Sequence, residues 1–250
     1  MTWTGRWTLV LCATAWLAAC AMAPGHPAVP PDADVLLLGE LHDDPAHQRR
    51  HRQVVASLAA EGRLAALAIE MAEAGTSTAG LPPDASEAEV RTALRWNEDG
   101  WPWATYGPAI MAAVRAGAPV RGANLPRTQM RPAMQDASLD GALDARALAA
   151  QREAVRAGHC DLLPPQQLPG MVRVQVARDR AMARVVAEAL SAGRTVVLLA
   201  GAAHVDPAVG VPRHLPEGLR VLPVVLARSG EAPARDPCAE LREHLQRGRR

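Results

Sequence analysis

The chain contains no Lys and no Phe, and Tyr106 is its only tyrosine. Every strong cation is therefore an Arg, the side chain that grips carboxylates bidentately. A charge excess is also missing, since 27 basic residues stand against 26 acidic ones. That balance offers no basic field to a nucleic-acid partner. No G-x-S-x-G nucleophile motif occurs, and there is no internal repeat. The four cysteines, Cys12, Cys20, Cys160 and Cys238, match no zinc-site spacing.

The longest apolar stretch is too short to span a bilayer, which takes roughly 20 residues. It runs from Trp7 to Ala19, follows the single basic residue Arg6, and has the length of a signal-peptide h-region. It ends in Leu17-Ala18-Ala19-Cys20. Small residues before a cysteine resemble the bacterial lipobox, in which the thiol accepts a diacylglyceryl group. Residues 1–19 accordingly read as a lipoprotein signal peptide, Cys20 as the lipidated residue, and the Ala- and Pro-rich stretch 20–31 as a tether. Ala21, where an Asp would favour inner-membrane retention, points to the outer membrane. Loss of the leader removes one Arg and leaves 26 basic against 26 acidic residues. Of the cysteines, Cys160 and Cys238 then remain, free in an oxidising envelope to pair or to stay as thiols. We place one α/β domain at 32–230 and a polar tail at 231–250, with a helix over Cys238 to Gln246.

Within the domain, Asp34 to Gly39 and Leu64 to Met71 are apolar runs suited to buried parallel strands. Between them, a helix opens at Pro45 behind Asp43 and Asp44 and stops at Gly62. This β-α-β opening marks a parallel sheet flanked by helices. Ser86 and Glu89 form a capping box at a helix start. A helix is expected over Tyr106 to Ala116, with Pro108 in its first turn. Pro119 to Asn124 reads as the third strand, and residues 125–160 as a smaller inserted helical lobe. A further helix starts at Pro164-Pro165, runs to about Leu190 and stops at Gly193. Thr195 to Ala200 and Leu219 to Leu226 are the fourth and fifth strands. His47 and His51 lie four apart, a metal-compatible spacing, on a helix that reads as solvent-facing.

The polar residues are placed systematically. Glu40 and His42 follow the first strand, Glu70 ends the second, Asn124 ends the third, and His204 follows the fourth. These are carboxyl ends of parallel strands, where open α/β sheets bind ligands. Individually each has a plain structural use. Glu40 and Glu70 can form buried ion pairs with Arg127 or Arg178, His42 can satisfy a loop carbonyl, and His204 can cap the following helix. Together they point to a site.

Leu38-Gly39-Glu40-Leu41-His42-Asp43-Asp44-Pro45-Ala46-His47-Gln48 resembles the opening motif of the ChaN-like haem-binding lipoproteins, within the wider Tiki/TraB and erythromycin esterase superfamily. Ala68-Ile69-Glu70-Met71, Ala123-Asn124-Leu125-Pro126-Arg127, Gly158-His159-Cys160, Gln175-Val176-Ala177-Arg178-Asp179 and Ala200-Gly201-Ala202-Ala203-His204-Val205 follow in the family's order, as does Gly210-Val211-Pro212. The likeness covers about Val35 to Leu226.

The resemblance implies an outer-membrane lipoprotein of haem and iron acquisition. It implies haem as cofactor, a haem-induced homodimer holding two haems face to face, and an outer-membrane haem receptor as a partner. It also implies a tyrosinate iron ligand, for which Tyr106 is the sole candidate; a phenolate is a hard donor suited to ferric haem. Trp96, Trp101 and Trp103 would supply flat apolar walls. His42, His204 and Arg127 would contact the ligand, with Arg127 gripping a propionate where the family can use a Lys. The wider superfamily implies an alternative, a hydrolase. In that reading His42 is a general base, Glu40 or Glu70 orients it or activates water, and His204 stabilises developing charge.

Overall fold

The computed structural model describes Met1 and residues 29–30, 32–230 and 236–247. The signal segment, Cys20 and most of the tether lie outside the described residues. Five parallel strands form one sheet: β1 (Val35–Glu40), β2 (Leu64–Glu73), β3 (Val120–Asn124), β4 (Thr195–Gly201) and β5 (Val221–Val225), in the order β3-β2-β4-β1-β5. Strands β1, β2 and β4 read as nearly continuous apolar runs because both faces of the sheet are covered. Alternate residues of β1 prove it. Leu36 and Leu38 pack with α1 (Pro45–Ala60) and α3 (Trp103–Arg115), whereas Val35 and Leu37 pack with α6 (Leu168–Glu188). Each fully buried leucine contributes roughly 1.5–3 kcal/mol relative to exposure. β5 is only half-buried, and Pro223 is tolerated there because an edge strand need not donate on its outer side.

Local signals set the helix ends. Asp44 caps α1 by accepting from the Ala46 amide, and Gly62 takes a positive φ of 68° just beyond it. Ser86 and Glu89 form the expected capping box of α2 (Glu87–Ala93). Two expectations need correction. α3 starts three residues before Tyr106, because Glu98 accepts from the Trp103 amide at 3.1 Å and provides a cap from outside the helix. The α1 histidines are not solvent-facing: His47 and His51 are 3% and 1% exposed. They share the buried stripe of Val54, Val55 and Leu58, which docks on α3 and the sheet.

The stretch read as a helical lobe consists of α4 (Arg127–Gln135), a 3-10 turn at Ala137–Ala142 and α5 (Ala145–Gly158). Leu139, Leu143 and Ala147 bury a small core of their own against Val176 of α6. A four-residue helix, α7 (Ala202–Val205), follows β4, and α8 (Pro237–Arg247) is joined to the end of α5 by a Cys160–Cys238 disulfide with a Cα–Cα distance of 5.6 Å. The lobe therefore sits over the carboxyl ends of the strands, where the polar residues gather. Among the described residues no helix is long and apolar enough to cross a membrane.

Candidate functional site

Glu40, the last residue of β1, is 1% exposed. A buried carboxylate is tolerable only when donors surround it, and here the groups around it come from three segments, α3, the turn after β1 and α1. Its Oε1 accepts from the Tyr106 hydroxyl at 2.7 Å and from His42 Nδ1 at 2.6 Å. Its Oε2 accepts from Gln48 Nε2 at 3.2 Å, and His51 Nδ1 lies 3.1 Å away. Burial pushes the His51 imidazole down to about 4, so that ring stays neutral beside the carboxylate. His42 behaves oppositely. Its burial disfavours charge, but the Glu40 hydrogen bond and the charges of Glu70 and Glu40 outweigh that and raise its pKa.

Glu70, near the end of β2, is the second centre. It accepts from Arg178 Nη2 and, at 2.6 Å, from the Gly201 amide. The Nε2 atoms of His42 and His204 lie 3.8 and 3.7 Å from its oxygens. Burial alone would raise the Glu70 pKa. The charges of His204, Arg178 and His42, with the Gly201 amide, instead hold it down at about 2. His204 is anchored from behind by Asp179 of α6, Nδ1 to Oδ1 at 2.6 Å. Arg178 also donates to Asn124 Oδ1 at 2.9 Å, which ties in the end of β3. The lack of a side chain at Gly201 matters, because a Cβ there would lie 3.0 Å from His42 Nε2.

Above these groups lies a cavity of about 720 Å³. Its floor holds Glu70, Arg178 and His204, and its roof is the α5 face of Ala154, Val155, Ala157 and Gly158, ending at His159. His42 and Arg228 stand at one side, Arg228 being paired with Asp43. A neighbouring groove of about 410 Å³ shares His42 and carries Arg49 and Arg52. Another cleft, of about 370 Å³, shares Glu70 and carries Trp101 and Arg127. Among the described residues no cluster of three His, Cys, Asp or Glu is arranged to hold a bare metal ion.

The family model described as haem-binding uptake, Tiki superfamily, ChaN matches residues 30–215. The chain belongs to the ChaN family. Its fold is also that of a solved structure, cofacial haem binding to ChaN of Campylobacter jejuni, with a TM-score of 0.62 and 24% identity over 81% of this chain and 84% of that one. No curated protein matches significantly in sequence.

In this ChaN-family chain, the sheet brings Glu40, His42, Glu70 and His204 to one place, as their positions after the strands predict. Of the other expected ligand residues, Tyr106 reaches them through its hydroxyl alone, which donates to Glu40 at 2.7 Å, and Trp103 and Arg127 do not. Tyr106 is 4% exposed in the α1–α3 core, edge-on to Trp101. Burial, then the Glu40 charge and its hydrogen bond, raise the phenol pKa far above its ordinary value. That is the reverse of what an accessible phenolate ligand requires. Trp103 is likewise no cavity wall: it is 7% exposed and donates from Nε1 to Glu87 at 2.7 Å. Arg127 is exposed at the start of α4, and its side chain pairs with neither site carboxylate. Of the two alternatives for Glu70, the partner is Arg178. Trp101 stacks edge-on to His42 at 4.9 Å, the only one of the three tryptophans in ring contact with a residue of the cluster's open side.

Sequence reasoning gave no role to Asp179 or Gln48, and offered His51 only a metal-compatible spacing with His47. Asp179 had a usable signal. It falls on the same α6 stripe as Val172, Val176, Met182 and Val186, so it had to be buried and therefore paired.

Proposed function

We propose that this chain binds haem in the cavity over the strand ends and acts in haem uptake at the outer membrane, anchored through a lipid on Cys20. The observation that carries the reading is the make-up of that cavity. A mostly apolar α5 face lies opposite basic side chains, His42 and Arg178, with Arg228 beside them, each paired with a carboxylate. Its volume of about 720 Å³ falls within the ordinary range for small-molecule sites, about 300–1,000 Å³. These residues fit an apolar macrocycle bearing two carboxylates. The α5 face would take the ring, and the cationic side would take the propionates by charge-assisted hydrogen bonds. Bound haem would supply a ferric iron requiring an axial donor from the protein. A homodimer with haems face to face and hand-over from an outer-membrane receptor belong to the same reading. Titrating the full chain in detergent with haemin, with absorbance and light scattering recorded together, tests it. A saturable Soret shift with doubling of mass is expected, and the absence of saturation at micromolar haemin would refute it.

A second reading, hydrolysis, is favoured by two histidine–carboxylate pairs facing Glu70, His42 with Glu40 and His204 with Asp179, each at 2.6 Å. Such pairing fixes the tautomer that leaves Nε2 toward a reacting group. Turnover of ester or peptide substrates that His42→Ala abolishes would establish it.

A further inference from the structure

An axial ligand needs a donor atom with an available lone pair, on an open wall, in an orientation held by a second hydrogen bond. Tyr106 lies on no open wall: its hydroxyl is buried and keeps its proton in a hydrogen bond to Glu40, so no phenolate faces the cavity. His42 and His204 each use Nδ1 on a carboxylate and bring Nε2 to within 4 Å of Glu70. Their surroundings favour the protonated ring at His42 and enclose His204, which is 6% exposed.

His159 is different. It is half-buried at the C-terminal end of α5 and forms part of the cavity wall, where the apolar α5 face ends. Its Nδ1 lies 2.7 Å from the Val155 carbonyl oxygen. A carbonyl only accepts, so Nδ1 carries a proton, and in the neutral ring the lone pair is then on Nε2. No carboxylate of the described residues is paired with the ring. This is the tautomer and the outer hydrogen bond of a metal-ligating histidine.

The backbone around it is tightly braced. The His159 amide donates to the Val155 and Arg156 carbonyls, and its own carbonyl accepts from Leu162. Cys160 and Asp161 then take φ values of 56° and 59°, conformations that side chains other than Gly adopt only when neighbours enforce them. Here Arg156 pairs with Asp161, and the disulfide ties Cys160 to α8. The ring is thus carried on a fixed corner and not on a free loop.

The geometry points to His159 as the axial haem ligand of this chain, through Nε2, in place of a tyrosinate. The assignment rests on the haem reading above and specifies which atom of the chain meets the iron. A neutral imidazole in this role differs from a phenolate in a way spectra register, because it stabilises the ferrous as well as the ferric state.

The test is haemin titration of the full chain as wild type, His159→Ala and Tyr106→Phe, read by ferric and dithionite-reduced absorption spectra and by electron paramagnetic resonance. His159→Ala is expected to weaken binding by more than about tenfold, since even loss of an outer partner of a ligand costs about 10–100-fold. Added imidazole should restore its spectrum, which also proves the variant folded. Tyr106→Phe, which also removes a donor to Glu40, should keep the wild-type haem ligand bands whatever its affinity. An unchanged spectrum in His159→Ala, or loss of the wild-type spectrum in Tyr106→Phe alone, overturns the ligand assignment while haem binding stands. Failure of the wild type to bind overturns the haem reading and the assignment with it.

Discussion

Glu70→Gln is expected to cost stability in a pH-dependent way. In the native state the Glu70 carboxyl titrates at about 2, against an ordinary 4.5. A depressed acid contributes stability that is present above its unfolded value and is lost as pH falls through the folded one. The window is therefore about pH 4.5 down to pH 2. At about 1.36 kcal/mol per pH unit, the gap between those values corresponds to roughly 3 kcal/mol. The group is 3% exposed, so solvent screening takes little from this figure. Replacing the carboxylate by a neutral amide of the same shape removes the contribution at neutral pH and changes nothing once Glu70 is protonated. Urea denaturation of both proteins, followed by tryptophan fluorescence, should show a gap of about 3 kcal/mol at pH 7 that narrows to about 1 kcal/mol near pH 3. A gap that stays constant across that range would mean the loss is steric, and the charge argument would fall.

Two further outcomes follow from neighbouring groups. The raised pKa of His42 means that this ring contributes stability fully below about 6.5, which is lost as pH rises through the higher folded value; imidazole NMR should show titration above 6.5 that drops in Glu40→Gln, and no response to that substitution would separate the two groups. Reducing the Cys160–Cys238 bridge opens a loop with a sequence separation of 78, for which chain entropy gives about 4 kcal/mol; reductant and Cys238→Ser should lower Tm equally, and an unchanged Tm in both would show that the bridge secures only α8.

The strands were legible because their apolar runs are set by burial on both faces, a property of each segment alone. The insertion of β4 between β1 and β2 has no local signature, since the pairing of Leu38 with Leu199 depends on residues 161 positions apart. The same distinction separates the site residues. Glu40, His42, Glu70 and His204 were found because strand ends are local features. The burial of His47 was not, because its ring nitrogens are satisfied by the Leu41 amide and by the carbonyl of Ala227, from the other end of the domain. The setting of Tyr106 was hidden for a related reason. Its rarity drew attention to it, yet its hydroxyl partner is Glu40, 66 residues earlier. Rarity is a property of composition and says nothing about which way a hydroxyl is turned.

Stability alone does not account for the strand-end cluster. Glu40, Glu70 and Asp179 are 1–3% exposed, and only one guanidinium, Arg178, is paired directly with any of them. Replacing buried ionic groups by apolar ones of similar size is often neutral or stabilising. A β-sheet edge that already carries Leu38 and Leu199 could have closed over a dry core at this position. Instead the chain surrounds Glu40 and Glu70 with donors from separate segments, so that removing any one leaves a buried charge short of partners. That arrangement fixes the two histidine rings and the guanidinium at the floor of a cavity that remains open above them. The α5 face opposite offers Ala154, Val155, Ala157 and Gly158 between Gln151 and His159. On the haem reading, the ring would lie along the apolar residues of α5 and its carboxylates would meet His42, Arg178 and Arg228.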